Sequence, residues 1–248
     1  MSLEFLIAYL ISAGVAVCIL RPLFHFFHDK KLISRNYLGN EIPNSAGLLL
    51  LLAALPVWAA EALVIEPAGL VQLSALTLLA VGCCLAGLID DLTSGEERKG
   101  WKNHLAGLFG GSWSSGSLKV VAGGCIILLA VTMSAPSELT GIAKVEFIVR
   151  SVLLVGLCTN TINSLDVRPG RALKVFLLSI AIVMFHDATA SLEWLLVAPV
   201  LAGAAVILPY DLRGSAMIGD TGSNMLGAVI GWLLVRMTTV PQQWGLIF

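Results

Sequence analysis

The sequence predicts an all-α protein, a polytopic bundle of about eight transmembrane helices that forms a single integral membrane domain over residues 1–248. Three observations lead to this fold class. Of the 248 residues, 57% are hydrophobic and only 12% are charged, and the mean hydropathy is +0.90. The apolar residues gather in runs long enough to cross a bilayer, for which a helix needs about 20 residues. Basic residues concentrate in alternate loops between these runs.

Eight apolar runs are predicted to span the membrane. The first has no basic n-region and no small-residue cleavage site, so we expect it to remain as a helix. In the last run, Gly227 and Gly231 stand at GxxxG spacing, which favours close packing of helices in a membrane. The runs cover residues 3–20, 46–65, 70–89, 118–135, 145–162, 172–186, 191–208 and 222–240.

The charges predict how the bundle is oriented. Loops at 21–45, 90–117, 163–171 and 209–221 lie on one side and carry most of the 15 basic residues, whereas the opposite loops are mainly acidic. The positive-inside rule therefore predicts a multi-pass plasma-membrane protein with the basic loops in the cytoplasm and both termini outside. A formal net charge of −1 gives no indication of a nucleic-acid partner. The five cysteines lie in apolar runs without metal-ligand spacing.

Two carboxylates, Asp90 and Asp91, follow the third run directly. Ionisable groups at membrane depth are costly unless they are paired, hydrated or bound to a cation. Adjacent residues on a helix point about 100° apart, so one carboxylate can ligate a metal while its neighbour acts as a base. A helix end that reaches water is the alternative interpretation, and the sequence leaves both open.

A polar stripe ends the fifth run. Asn160, Asn163 and Asp166 recur at every third position and so share one helical face. Their side chains can hydrogen-bond to neighbouring helices, or they can bind a hydrated cation or a sugar nucleotide. Arg168 and Arg171 follow at once, either as topology anchors or as ligands of phosphate oxygens.

The residues Gly-Asp-Thr-Gly-Ser at 219–223 open directly into the last run. Backbone N–H groups and the positive end of the helix are predicted to form an anion site there. Asp220 is either an N-cap or a functional residue beside glycines that admit a ligand. Hard oxygen ligands without His or Cys favour Mg²⁺ or Mn²⁺, and a diphosphate is the natural partner of such an ion.

Taken in order, the acidic pair, the Asn-x-x-Asn-x-x-Asp stripe and the Gly-Asp-Thr-Gly-Ser turn resemble the polyprenyl-phosphate N-acetylhexosamine-1-phosphate transferases. This family, of the glycosyltransferase family 4 type, includes phospho-N-acetylmuramoyl-pentapeptide transferase. The resemblance covers most of the chain, and Ile42, Pro43 and Gly47 are similar to the family's first cytoplasmic loop. It implies Mg²⁺-dependent transfer of a sugar-1-phosphate from a UDP-sugar to polyprenyl (undecaprenyl) phosphate, with release of UMP, in cell-envelope biogenesis.

The resemblance also implies roles for individual residues. Asp220 and Asp91 would ligate the metal, and Asp90 with Asp91 would activate or place the lipid phosphate. Asp166 and Asn163 would hold the nucleotide side, and Lys119 would steady phosphate charge. Further candidates for substrate binding are Asn160, Arg168, Arg171, Lys102 and His104.

Two other classes of function stay open from the sequence. One is a non-catalytic relative that binds lipid-linked sugar, lipid phosphate or nucleotide as a regulator. The other is an ion-coupled transporter, which predicts broken helices and repeat symmetry that the sequence does not show. A homodimer or a complex with a partner membrane protein also stays open.

Overall fold

The computed structural model describes residues 2–36, 38–93, 115–186 and 191–248, with the side chains at 115–120 and 191 left out of the description. Nine α-helices and one hairpin fall within these ranges. The strands β1 (Ile33–Arg35) and β2 (Glu41–Pro43) pair antiparallel. The helices are α1 (Leu3–Asp29), α2 (Leu48–Glu61), α3 (Pro67–Thr93), α4 (Ser115–Met133), α5 (Gly141–Leu165), α6 (Arg171–His186), α7 (Ser191–Leu212), α8 (Gly219–Met237) and α9 (Val240–Ile247).

The predicted all-α membrane fold is confirmed, and each of the eight predicted runs contains one helix, α1 to α8. By length and apolar composition, three helices of the described chain are able to cross a membrane: α1, α3 and residues 192–212 of α7. Helix α2 and residues 121–133 of α4 are shorter apolar helices. The helical bundle is therefore built mainly from apolar segments, as the composition predicts.

Three elements differ from the predicted boundaries. Helix α1 continues to Asp29, well past residue 20, because Leu23 and Phe27 on its extension are buried. The hairpin β1–β2 lies in what was predicted to be loop. Helix α9 was not predicted, because its eight residues are too short for a search for spans. Its start is fixed by a capping box between Thr239 and Gln242.

Helix α8 is the central helix of the bundle and contacts α3 and α5 most extensively. Its buried residues run from Gly219 to Leu233 with few interruptions. Two glycines allow α5 to approach: a Cβ at Gly227 would overlap the backbone of Thr159, and one at Gly231 would overlap that of Val155. The predicted role of the GxxxG spacing in helix packing is confirmed, and it acts between α8 and α5 of the same chain.

Two arginines at the end of the bundle away from the start of α8 are each paired with a glutamate. Arg150, which is buried, donates to Gln243 Oε1 at 2.7 Å and to Glu146, so it fastens α9 to α5. Arg236 donates to Glu193 at 2.8 Å and joins α8 to α7. Pairing offsets part of the cost of removing these charges from water.

The contact between α5 and α8 predicts different effects for two glycine substitutions. Gly227→Ala puts a methyl group against the backbone of Thr159, whereas a Cβ at Gly156 on α5 meets nothing within 4 Å. We expect Gly227→Ala to cost about 1–3 kcal/mol and Gly156→Ala to be neutral or stabilising. Thermal unfolding in detergent, followed by tryptophan fluorescence, measures both. A Tm for Gly227→Ala at or above that of Gly156→Ala would contradict the close packing.

Candidate active site at the start of helix α8

The first turn of α8 is capped by Asp91, which lies near the end of α3. Asp91 Oδ1 accepts the N–H of Asp220 at 2.9 Å, and Oδ2 accepts the N–H of Thr221 at 3.1 Å and its hydroxyl at 2.6 Å. A helix leaves such N–H groups unsatisfied at its start, and its dipole favours negative charge there. The N–H groups that were predicted to bind an anion are therefore satisfied by the carboxylate of Asp91. The N-cap position belongs to Ile218, so Asp220 is not the N-cap.

Small residues allow α3 and α2 to come this close to α8. A Cβ at Gly87, one turn before Asp91, would overlap the carbonyl group of Asp220. One at Gly47 would overlap the backbone of Gly222. Gly219 has φ +65°, where side chains are disfavoured, and a Cβ there would meet the Asp91 carboxylate. The geometry of the site thus depends on backbone contacts that larger residues would prevent.

Ser45 is a site residue that the sequence did not predict. It is buried, its φ of +61° lies in the left-handed region, and its hydroxyl donates to Asp91 Oδ2 at 2.9 Å. Its segment is held by backbone hydrogen bonds to the loop before α8: Met217 donates to Pro43 O at 2.9 Å, and Ala46 donates to Met217 O at 2.9 Å. A serine in this conformation costs of order 1–3 kcal/mol, which the surrounding contacts offset.

Asp166 and Asp211 join two loops beside this cap. Asp166 is the C-cap of α5, so it follows the helix instead of completing the predicted stripe on it. The backbone N–H of Gly219 hydrogen-bonds to its carboxylate. Asp211, which is buried near the end of α7, accepts the N–H of Gly170 and that of Ile218. The loop after α5 and the loop before α8 are therefore tied to the same pair of acids.

The acidic side chains interact electrostatically. The pKa of Asp166 is raised from 3.8 to about 8, first by burial and then by the negative charges of Asp211, Asp220 and Asp91, while the hydrogen bond from Gly219 lowers it. Lys174 is the basic side chain that acts on Asp211. A cation would relieve this concentration of negative charge, so the donor set fits a hard divalent ion.

The acidic side chains at the start of α8 supply few ligands for a metal ion. No group of three His, Cys, Asp or Glu lies together as a metal cluster in the residues that the structure describes. Mg²⁺ commonly takes one or two protein carboxylates and completes its shell with phosphate oxygens and water. Asp220 and Asp91 thus remain predicted metal ligands, and either ion named above, Mg²⁺ or Mn²⁺, suits their chemistry.

The other predicted residues are distributed unevenly around this cluster. Asn163 Oδ1 accepts the Ser223 hydroxyl at 2.9 Å, so this amide does bond to a neighbouring helix. Asn160 is exposed one turn earlier, and Asp90 is half-buried beside Asp91. Arg168 and Arg171 are exposed on either side of Gly170. Lys119 belongs to α4 but its side chain lies outside the description, and Lys102 and His104 lie outside the described residues.

Sequence reasoning missed Asp211 and Ser45 for different reasons. Asp211 carries a usable signal, because an acid that interrupts an apolar run just before Arg213 and Gly214 is expensive unless it is hydrogen-bonded. Ser45 carries none, because its role depends on Asp91 and on the loop before α8, both distant in the chain. A local sequence pattern does not predict contacts between residues that lie so far apart in the chain.

These features define a helical membrane protein with a cluster of carboxylates at one end of its bundle. The model of the family described as glycosyl transferase family 4 matches residues 73–238, from α3 to α8. The chain belongs to this family, which makes it a membrane sugar-phosphate transferase in kind. No curated protein matches the chain. The matched range includes Asp91, Asp166, Asp211 and Asp220 but not Ser45 or the hairpin.

The capping role of Asp91 predicts that Asp91→Asn destabilises the protein. An amide offers one acceptor oxygen, and its NH₂ group would face the N–H or O–H donors of residues 220, 221 and 45. We expect a loss of about 1.5–3 kcal/mol, because the lost hydrogen bonds involve a charged acceptor. Thermal unfolding of the purified variant in detergent, with EDTA present, measures it. An unchanged Tm would refute the capping role.

The raised pKa of Asp166 predicts that its contribution to stability decreases as pH rises. The native carboxyl keeps its proton up to a pKa of about 8, whereas the unfolded one loses it near 3.8. Its contribution to the free energy of unfolding therefore falls as pH rises between these values. Asp166→Asn removes the titration, so its Tm relative to wild type is expected to rise between about pH 5 and pH 8 in EDTA. A constant difference across that window would show that the pKa is not raised.

Proposed function

We propose that the protein transfers a sugar-1-phosphate from a UDP-sugar to polyprenyl phosphate, with undecaprenyl phosphate as the expected acceptor. An oxygen of the lipid phosphate forms a bond to the phosphorus that carries the sugar. The bond from that phosphorus to the bridging oxygen of the diphosphate breaks, and UMP leaves with that oxygen. The product is a polyprenyl diphosphate sugar, so atoms and charge balance.

The observation that carries this proposal is the convergence of Asp91, Asp166 and Asp220 at one end of the bundle. Each comes from a different helix end, and the charges of Asp220 and Asp91 help to raise the pKa of Asp166. At the end of a membrane-spanning bundle, these carboxylates would be within reach of a lipid phosphate whose chain stays in the bilayer. Membership in glycosyl transferase family 4 supports the same chemistry.

In this proposal, Asp220 and Asp91 would hold Mg²⁺, or Mn²⁺. A bound ion would supply positive charge that offsets charge on the diphosphate and on the leaving UMP. The hydrogen bonds from the backbone N–H groups of residues 220 and 221 to Asp91 fix the start of α8, from which Asp220 projects. Preorganisation of this kind lowers the cost of reaching the reactive geometry.

The remaining residues are assigned to the two substrates. Asp90 with Asp91 places the lipid phosphate, and Asp166 with Asn163 holds the nucleotide side. Arg168 and Arg171 are exposed near the same loops, and their guanidinium groups suit phosphate oxygens, which accept bidentate hydrogen bonds from Arg. The proposed set for phosphate and sugar is Lys119, Asn160, Arg168, Arg171, Lys102 and His104.

The orientation of the bundle is part of the proposal. The acidic site shares its end of the bundle with the basic residues of the adjoining loops, and the positive-inside rule assigns that end to the cytoplasm. The membrane is then the plasma membrane, and the start of α1 and the region after α8 face outward. The basic residues are Lys30, Lys31, Arg35, Arg168, Arg171 and Arg213.

Release of UMP by the purified full chain tests the proposal. The assay contains undecaprenyl phosphate, a panel of UDP-sugars and Mg²⁺ in detergent or nanodiscs. We expect release that requires Mg²⁺ and falls at least about 100-fold in Asp220→Asn, because a metal ligand is lost. Glu138→Gln removes an equal charge from an exposed residue far along the chain and should behave as wild type.

Folding is checked separately, by gel filtration and Tm of each variant. No UMP release across the panel, from folded protein that still binds a UDP-sugar or lipid phosphate, would reject the transferase and support a binding or regulatory protein. Release unaffected by Asp220→Asn would reject the assignment of the metal ligand.

A further inference from the structure

A cavity lies at the end of the bundle opposite Asp91. Helix α2 starts beside the acidic site and ends at Glu61, and α3 runs back from Pro67 to that site. Among α1, α2, α3 and α7 the cavity measures about 930 Å³. This volume is within the range of small-molecule sites. Its walls are largely aliphatic, with Ile7, Ile11 and Leu195 among them.

Glu61 lines the cavity from the last turn of α2. The residue is only 8% exposed, and within the described chain neither of its carboxylate oxygens has a hydrogen-bond partner. Two other acids shielded by the bundle have partners: the half-buried Glu193 is paired with Arg236, and the buried Asp211 accepts a backbone hydrogen bond. A buried polar group without a partner costs free energy, and an ionised one costs much more. The described residues packed around α2 give Glu61 no partner, so a bound ligand is the natural candidate to pair with its carboxylate.

The charge around the cavity has one sign. Glu4 and Glu66 line it together with Glu61 and are exposed, so they sit where the cavity meets its surroundings. Among the described residues that line it there is no Lys, Arg or His. Apolar walls strengthen the field of these carboxylates because the local dielectric constant is low. The complementary ligand is a cation, and the aliphatic walls require that it carry a hydrocarbon chain.

We infer that this cavity binds an amphiphile with an ammonium headgroup. The chain lies against the aliphatic side chains of α1 and α7, and the headgroup pairs with Glu61. The Glu61 oxygens are buried in this structure, so the proposed pairing requires the side chain to turn into the cavity that it lines. The amino headgroup of a phospholipid and a free alkylammonium share this chemistry. The site is separate from the proposed transferase centre.

Equilibrium dialysis of the full chain in dodecyl maltoside tests the inference, with binding corrected for partition into protein-free micelles. The probes are dodecyltrimethylammonium and dodecanol, which share a chain length and differ in charge. Wild type is expected to bind the cation more tightly than the alcohol, and Glu61→Gln to bind the cation about tenfold more weakly with dodecanol unchanged. Glu138→Gln, an equal change of charge outside the cavity, is the control.

Ala60→Phe provides a second variant that does not depend on the charge of Glu61. Ala60 lines the cavity, and a phenyl ring there should weaken binding of both probes. Equal affinity of the cation for wild type and Glu61→Gln, or no preference for the cation over dodecanol, would overturn the inference.

Competition in nanodiscs distinguishes the two sources of the headgroup. Competition by phosphatidylethanolamine but not by phosphatidylglycerol identifies a lipid headgroup as the ligand, whereas binding unaffected by either lipid identifies a free amphiphile.

Discussion

The first N–H groups of α8 are buried in the bundle, and the carboxylate of Asp91 satisfies them. Four hydrogen bonds meet at that carboxylate, from residues 45, 220 and 221. The segment after the hairpin, the end of α3 and the start of α8 are consequently fixed by one side chain. Because the dipole of α8 and the donors both favour negative charge, this position accommodates an acid where an isolated one would be costly.

That cap explains why further acids can collect nearby. Asp211 is held by two backbone N–H groups and Asp166 by a third. Each hydrogen bond offsets part of the repulsion between carboxylates, yet the pKa of Asp166 remains raised to about 8. The backbone thus maintains a group of carboxylates whose chemistry would suit a divalent cation.

The sequence predicted the helices well and the site only in part. Apolar runs locate α1 to α8 because a bilayer demands long apolar segments, and the glycines at 227 and 231 mark a helix contact. The same reasoning brought Asp91 and Asp220 to one place, but gave no sign that one caps the helix of the other. The role of Ser45 depends on tertiary contacts, and α9 is shorter than any span. A hydrophobic period of 3.6 residues indicates which face of a helix is buried, but it does not indicate which helix ends lie together.

The distance along the chain between the partners in the cap has a consequence for biosynthesis. Asp91 and Asp220 are 129 residues apart, so α3 enters the membrane long before its donors are made. During that interval Ser45 is the one donor among these residues that has already been made. Backbone N–H groups become available only with α8, so the acidic centre is completed after residue 221 has been synthesised.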